Sequence, residues 1–215
     1  MGPPETIEEL MRRARALEGV SLADLATREG VSIAGEAVRT KGKVGELVER
    51  ALGATGSGAE MDFPALGVEL KTVPLESGAP AESTFVCALP LMDAERAEWA
   101  TSWVRKKLSR VLWVPVEERA RIGAPVLWSP TREQEAVLKD DFDEIVGRIA
   151  IGDIEDLSAH VGQWLQLRPK AASGSVRTSA PGREGELVST VPRGFYLRAR
   201  FVGAILRQPI GGGSR

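Results

Sequence analysis

Apolar side chains recur at helical spacing near the start of the chain, where Leu10, Met11, Ala14 and Leu17 fall on one stripe. Thr6-Ile7-Glu8-Glu9 precedes them as a capping-box pattern, so an amphipathic helix is expected to open there. Ser21-Leu22-Ala23-Asp24 reads as a second helix start. Val44, Leu47, Val48, Ala51 and Leu52 form the stripe of a third helix, closed at Gly53. After a loop rich in Gly, Ser and Thr, from Ala54 to Ala59, the period changes: Val68 and Leu70 share one face and Glu69 and Lys71 the other, the alternation of a strand. Further strands are expected at Thr84 to Leu89, Val111 to Val116 and Val126 to Trp128, and a helix over Thr131 to Ala150. Gly, Ser, Pro and Arg crowd Ser173 to Gly185, which predicts a mobile loop before a final ordered unit around Phe195 to Leu206. The glycine run at 211–213 predicts a frayed tail over 211–215. Helices interleaved with a few strands, without an internal repeat, argue for a mixed α/β fold.

Composition narrows the class. A chain of 215 residues with 43% hydrophobic content can bury a sizeable core, as one domain over residues 1–210 or as two tightly joined lobes within it. No apolar run reaches membrane-spanning length, and the first twenty residues carry mixed charges rather than the apolar core of a secretory leader, so a cytoplasmic protein is expected. The short Met1-Gly2-x-x-x-Thr6 match to a myristoylation pattern is read as chance. The one cysteine, Cys87, excludes an internal disulfide and a thiolate metal cluster, and its apolar neighbours predict a buried core residue. His160, the one histidine, removes multi-histidine zinc sites and leaves little room for a Ser/His/Asp triad; it receives no role.

The net charge of -2 conceals a segregation along the chain. Residues 117–157 hold eleven acidic and five basic side chains, whereas residues 168–207 hold eight basic and two acidic. Such runs fit two solvated faces, and they equally fit a cationic phosphate-binding surface opposed to an acidic one.

Candidate chemistry lies in Asp62, Glu69 and Lys71, spaced Asp-x6-Glu-x-Lys. An acid and an amine share one strand face, and a second carboxylate arrives from just upstream. Two hard carboxylate oxygens suit magnesium, which keeps several waters and takes further ligands from a phosphate. Such an ion polarises a scissile phosphate and lowers the pKa of a bound water, while Lys71 would orient that water and offset the growing charge. The competing reading makes Glu69 and Lys71 the wet side of an edge strand, because the spacing alone is loose.

The words around the trio are far more specific. Lys41-Gly42-Lys43-Val44-Gly45, Leu47-Val48-Glu49-Arg50-Ala51-Leu52-Gly53-Ala54, Asp62-Phe63-Pro64-Ala65-Leu66-Gly67-Val68-Glu69-Leu70-Lys71-Thr72 and Glu82-Ser83-Thr84-Phe85-Val86-Cys87 follow one another. Val104-Arg105-Lys106-Lys107-Leu108, Arg110-Val111-Leu112-Trp113-Val114-Pro115-Val116, Leu127-Trp128-Ser129-Pro130, Leu165-Gln166-Leu167-Arg168-Pro169-Lys170-Ala171 and Pro192-Arg193-Gly194-Phe195-Tyr196-Leu197 continue the series. In order and spacing, over roughly residues 5–207, these resemble the consecutive motifs of the MutH family.

That resemblance implies a restriction-endonuclease-like mixed β-sheet flanked by helices, with two lobes forming a DNA-binding cleft. It implies an endonuclease that nicks the unmethylated strand of hemimethylated GATC sites, works as a monomer, and is activated by MutL with MutS acting indirectly. By position, Asp62, Glu69 and Lys71 match the family's catalytic trio, with Asp62 and Glu69 as ligands to one or two Mg2+ ions that Mn2+ or Ca2+ can replace in binding. Glu49 matches a further active-site acid, which its place at the border of the apolar stripe supports better than that of Glu46. Lys107 matches a lysine of the active centre. Lys41, Phe85, Arg168, Lys170 and Tyr196 match DNA-contacting positions, although Phe85 and Tyr196 also fit an apolar core and Arg105, Lys106 and Arg110 fit either phosphate contact or a solvated helix. Glu117 to Pro125 is shorter than in familiar members, Trp103 replaces a polar residue, and Ser173 to Glu186 diverges. A stand-alone type II restriction enzyme for GATC shares such motifs, and a DNA-binding protein with a fossil site is the reading of another class.

Overall fold

The computed structural model describes residues 2–31, 41–56 (side chains from 42), 60–155, 157, 161–170 and 175–208. His160 and the tail at 211–215 lie outside the described residues. By its internal contacts the chain divides into two compact units: residues 1–82, 109–129 and 202–215 form the first, and residues 83–108 and 130–201 the second.

The first unit opens with α1 (Ile7–Arg15) and α2 (Leu22–Arg28), followed by α3 (Lys41–Leu52). Thr6 accepts from the Glu9 N–H at the start of α1, as the sequence predicts, but the Glu9 carboxylate reaches the Glu5 N–H and Arg13 rather than closing the box on Thr6. Ser21 caps α2 by accepting from the Asp24 N–H. The sheet of this unit contains β1 (Glu69–Glu76), β2 (Ala79–Pro80), β4 (Val111–Glu117), β5 (Arg121–Ile122) and β6 (Val126–Trp128), whereas β3 (Thr84–Leu89) belongs to the second unit. Strands run in the order β2-β1-β4-β5, with β6 also on β4; β1 and β4 are parallel and the other pairs antiparallel, so the sheet is mixed. Leu10, Leu22, Leu25, Val48 and Leu52 from the helices pack with Val68, Leu70, Leu112 and Val114, one face of β1 and β4. Each such side chain contributes roughly 1.5–3 kcal/mol on burial. The helical stripe of α3 is thereby fixed against β1, which decides where its remaining side chains project.

In the second unit, β3 pairs antiparallel with β10 (Arg193–Leu197), which also pairs with β7 (Leu165–Pro169). The helices are α4 (Trp103–Leu108) and the long α5 (Arg132–Ala150), and the final helix, α6 (Ala199–Leu206), begins in this unit. Thr131 and Gln134 form a complete capping box on α5. Phe142 of α5 lies between Trp99 and Phe195, with ring centroids 5.6 and 5.5 Å away, and so pins the helix to β10.

The segment Ser173 to Gly185 departs from the mobile loop expected of its composition. Its described part enters a hairpin of β8 (Thr178–Pro181) and β9 (Leu187–Thr190). The Gly182 N–H donates to the Glu186 carbonyl across the turn, Arg183 pairs with Asp153, and Gly152 lies against the Gly182–Arg183 backbone so closely that a Cβ would clash. These anchors come from the end of α5, about thirty residues upstream, so local composition carries no sign of them.

One buried carboxylate organises the second unit. Asp141 on α5, 6% exposed, accepts from the N–H groups of Gln163, Trp164 and Leu165 at 2.6, 2.7 and 2.8 Å, and so sets the chain at the entrance to β7. Asp141→Ala would leave those donors with no acceptor, which costs about 1–3 kcal/mol for each one fully buried. We expect a loss of roughly 2–4 kcal/mol in urea unfolding, within the range for breaking a buried hydrogen-bond network; a change below the error of the fit would remove Asp141 from this role.

Candidate active site

Phe63 and Val68 exchange two backbone hydrogen bonds, at 2.9 and 3.2 Å, and the chain between them closes in a 3-10 turn over Pro64–Leu66. Pro64 presets the first turn position, and Gly67, at φ 61°, takes the left-handed conformation that ends it. The six residues between Asp62 and Glu69 are therefore one closed turn, and their number is fixed by its geometry. Asp62 is left beside the start of β1.

The Glu69 N–H donates to the Arg110 carbonyl at 3.0 Å, toward β4. Successive strand N–H groups point to opposite sides, so that of Leu70 faces the side on which β1, among the described residues, pairs with β2 only at Leu75 and Glu76. The Asp62 carboxylate accepts it at 2.6 Å. The carbonyl of Asp62 in turn accepts from Thr55 and Gly56, each at 3.1 Å, which ties the chain after α3 to the turn. Gly56 is required there, since a Cβ would stand 1.9 Å from the Met61 carbonyl oxygen.

Glu69 is 1% exposed, so it is not the wet side of an edge strand. A buried carboxylate needs a partner. Lys71, two residues along the same face, donates to its Oε1 at 2.5 Å. Glu49 comes from α3: its Oε1 and the Thr72 Oγ1 flank the space beside Gly45, at 3.7 and 3.8 Å from where a Cβ would sit, so this carboxylate lies against β1. Its own burial raises the proton affinity of Glu49 most; the Asp62 charge adds to this, Lys71 opposes it, and Glu69 and Glu46 add smaller amounts. Asp62, Glu69, Glu49 and Lys71 thus share one electrostatic site in the first unit.

The donor set fits a hard divalent cation. Its oxygens are carboxylate oxygens, and Glu49, whose proton affinity is raised first by burial and then by the Asp62 charge, would be relieved by a cation nearby. Among the described residues no group of three acidic, histidine or cysteine side chains is arranged to hold a metal ion by itself.

The DNA-contacting candidates of the second unit also converge. Phe85 and Tyr196 meet edge-to-face at 5.2 Å, Lys170 Nζ lies 4.9 Å from the Phe85 ring centroid, and the Arg168 guanidinium lies 5.8 Å from that of Tyr196. A register shift in β3 produces this: Phe195 pairs with Cys87, but Tyr196 pairs with Phe85, leaving Val86 as the extra residue. Phe195 and Cys87 stay in the core, as expected of the one cysteine, while Phe85 comes beside Tyr196. Gly194 makes the room, since a Cβ there would lie 2.8 Å from Phe85 Cε2. Phe85 and Tyr196 are half-buried, and Arg168 and Lys170 are exposed.

Lys107 lies half-buried on α4 in the second unit, and the side chain of Lys41 lies outside the described residues. Arg105 pairs with Glu135 at 2.7 Å, Lys106 covers the Trp103 ring at 4.4 Å, and Arg110 donates to the Leu66 carbonyl at 3.4 Å. The basic run at 168–207 is not one phosphate surface. Arg193 is buried; Arg198 and Arg200 donate to carbonyls of residues 161–163, and Arg177 donates to Ser189. Sequence reasoning missed two polar residues beside the recognition cluster, Ser83 and Gln166. Gln166 alternates with Leu165 and Leu167, so its polar place on β7 is legible, but its burial is not.

Two carboxylates and a lysine at the start of a strand of a mixed sheet, with a third acid from a helix, fit the pattern of a restriction-endonuclease-like DNA endonuclease. Comparison with known proteins agrees. Residues 52–141 match the family model described as the DNA mismatch repair enzyme MutH. The chain is similar to proteins named DNA mismatch repair protein MutH from Escherichia coli (47% identical, covering 96% of this chain and 94% of that one), Serratia proteamaculans (47%, covering 95% and 93%) and Shewanella amazonensis (49%, covering 96% of each). The chain belongs to the MutH family of DNA mismatch-repair endonucleases.

The burial of Glu49, with the Asp62 charge adding to it, sets a pH dependence. Its carboxyl titrates above the ordinary glutamate value of 4.5, so ionised Glu49 opposes folding: the contribution of the protonated form is complete below that value and is lost as pH rises through the raised one. Glu49→Gln, neutral throughout, should melt at a higher temperature than the parent at pH 7 in chelator, with the gap closing toward pH 4. Identical melting curves at both pH values would remove Glu49 from the cluster's field.

Proposed function

We propose that this chain nicks the unmethylated strand of hemimethylated GATC sites by magnesium-dependent hydrolysis, acting as a monomer in the cytoplasm on a signal from MutL, with MutS upstream. The observation that carries the reading is the gathering of Asp62, Glu69, Lys71 and Glu49 at the open edge of β1. Residues 1–210 act as one endonuclease domain whose lobes both contact the duplex. Asp62 and Glu69 would hold the ion, one or two per site, and Mn2+ or Ca2+ could take its place in binding. Such an ion would supply Lewis-acid polarisation of the scissile phosphate and of the attacking water. Lys71, kept at the site by Glu69, orients the attacking water through Nζ and offsets charge on the phosphate. Glu49 supplies a third carboxylate of raised proton affinity beside them. Lys107 adds a cationic group to the active centre, and Lys41 contacts backbone phosphate. Phe85, Arg168, Lys170 and Tyr196 read the site: an arginine fork matches a guanine edge, and aromatic rings beside it supply the apolar contact that a methyl group on adenine N6 alters.

The test uses supercoiled plasmid with unmethylated, hemimethylated or fully methylated GATC sites, with and without MutL and ATP. Asp62→Asn is preferred to alanine because it keeps an acceptor for the Leu70 N–H while losing the charge. It should lower nicking by about a thousandfold or more, the upper range for loss of one preorganised electrostatic group. Lys71→Ala should do the same, with its melting temperature followed because Glu69 loses its counter-charge. Full activity in either variant sinks the assignment. Linear product from a dimer, independent of MutL, would identify a stand-alone restriction enzyme instead.

A further inference from the structure

Ser83 immediately precedes β3, and its hydroxyl oxygen receives two donors. Gln166 Nε2 donates to it at 2.8 Å and Arg168 Nη1 at 2.9 Å. A serine oxygen has two acceptor lone pairs, and these bonds use both. The two donors differ in freedom. Gln166 is 4% exposed and is held within β7 between Leu165 and Leu167, whereas Arg168 is exposed at the end of the same strand. The buried amide therefore fixes the hydroxyl, and the hydroxyl in turn fixes one nitrogen of the guanidinium. The Tyr196 ring, 5.8 Å from the Arg168 Cζ, adds a second restraint of a different kind. An exposed arginine otherwise loses substantial rotamer entropy when it docks on a base or phosphate. Here one of its five N–H donors is committed to the protein, and the plane of the fork is set before DNA arrives.

We propose that Ser83 is a positioning residue for sequence discrimination, holding Arg168 in its DNA-reading orientation on a support anchored by Gln166. The inference rests on the functional reading above, in which Arg168 touches DNA, and it adds a residue that the catalytic and recognition motifs leave without a role. Ser83 lies in the second unit and the metal carboxylates in the first, so its loss should act on the choice of site rather than on the chemical step.

The experiment compares cleavage of duplexes carrying GATC with duplexes altered at one base pair, for the parent, Ser83→Ala, Ser83→Thr, Arg168→Ala and the double variant Ser83→Ala/Arg168→Ala. Ser83→Ala should reduce the preference for GATC in kcat/KM about tenfold, within the discrimination one bidentate contact supplies. The kcat on saturating GATC should stay within about twofold, because an interaction that positions rather than reacts appears in KM. Ser83→Thr retains the acceptor and should restore the preference. In the Arg168→Ala background Ser83→Ala should change the preference no further, the non-additivity of a residue acting through its neighbour. A Ser83→Ala protein that keeps full preference, a threonine that fails to rescue, or additive losses in the double variant would overturn the proposal. If the parent itself shows no preference for GATC, the functional reading fails and takes the proposal with it. If the parent is selective and only Ser83→Ala behaves like the parent, the functional reading stands and this inference alone falls.

Discussion

Between Glu69 and Lys71 the first strand, among the described residues, has a strand neighbour on one side only. On that side β4 takes up its hydrogen bonds; on the other, the Leu70 N–H meets a carboxylate from a turn. An exposed strand edge is ordinarily a liability, because unpaired backbone groups invite another chain. Here Asp62 occupies it with an acceptor that also carries charge. The same bond that satisfies the edge holds the Asp62 carboxylate at Leu70, the residue after Glu69, and the 3-10 turn with its left-handed Gly67 closes the chain between them. The carboxylate pair is thus a consequence of how a parallel strand begins.

Charge then governs the rest of the site. Glu69 is buried and pairs with Lys71, so the lysine proposed to serve the reaction also makes the acid tolerable in the fold. Glu49 enters from α3, whose apolar stripe is committed to the core shared with Leu70 and Val114. Packing on one face of β1 therefore delivers a third acid toward the same strand, where burial first and the Asp62 charge second raise the proton affinity of Glu49. Ionised Glu49 opposes folding, and a cation bound beside it would offset that charge and stabilise the unit that bears it.

What the sequence revealed divides along the same line between local and distant causes. The Asp-x6-Glu-x-Lys spacing was legible because a closed turn and a strand alternation are both local, and Glu49 was singled out by the family resemblance, with its place at the border of a helical stripe in support. The helix expected over Thr131 to Ala150 is found over Arg132–Ala150, with Thr131 as its cap. The hairpin from Thr178 to Thr190 was not, since its support lies in Gly152 and Asp153. Nor did the basic run announce that Arg193 would be buried or that Arg198 would serve the carbonyls of residues 161 and 162. Side-chain type predicted charge there, but only tertiary partners decide whether that charge reaches solvent.

The recognition face shows why a one-residue irregularity matters more than the apolar pattern suggests. In a regular ladder Phe85 and Cys87, two positions apart, would share a face, and with Cys87 in the core Phe85 would follow it. The shift between Phe195 and Tyr196 breaks that parity. It leaves Cys87 packed inside and sets Phe85 against Tyr196, over a glycine that has no side chain to obstruct it. Two rings, a lysine and an arginine then stand together on strands whose opposite face is the core of the unit. Rigid strands hold such a cluster to tighter tolerances than a loop would. The bulge therefore does for the proposed base-reading cluster what the start of β1 does for the proposed metal site: a local interruption of regular pairing places side chains that the regular pattern would have hidden.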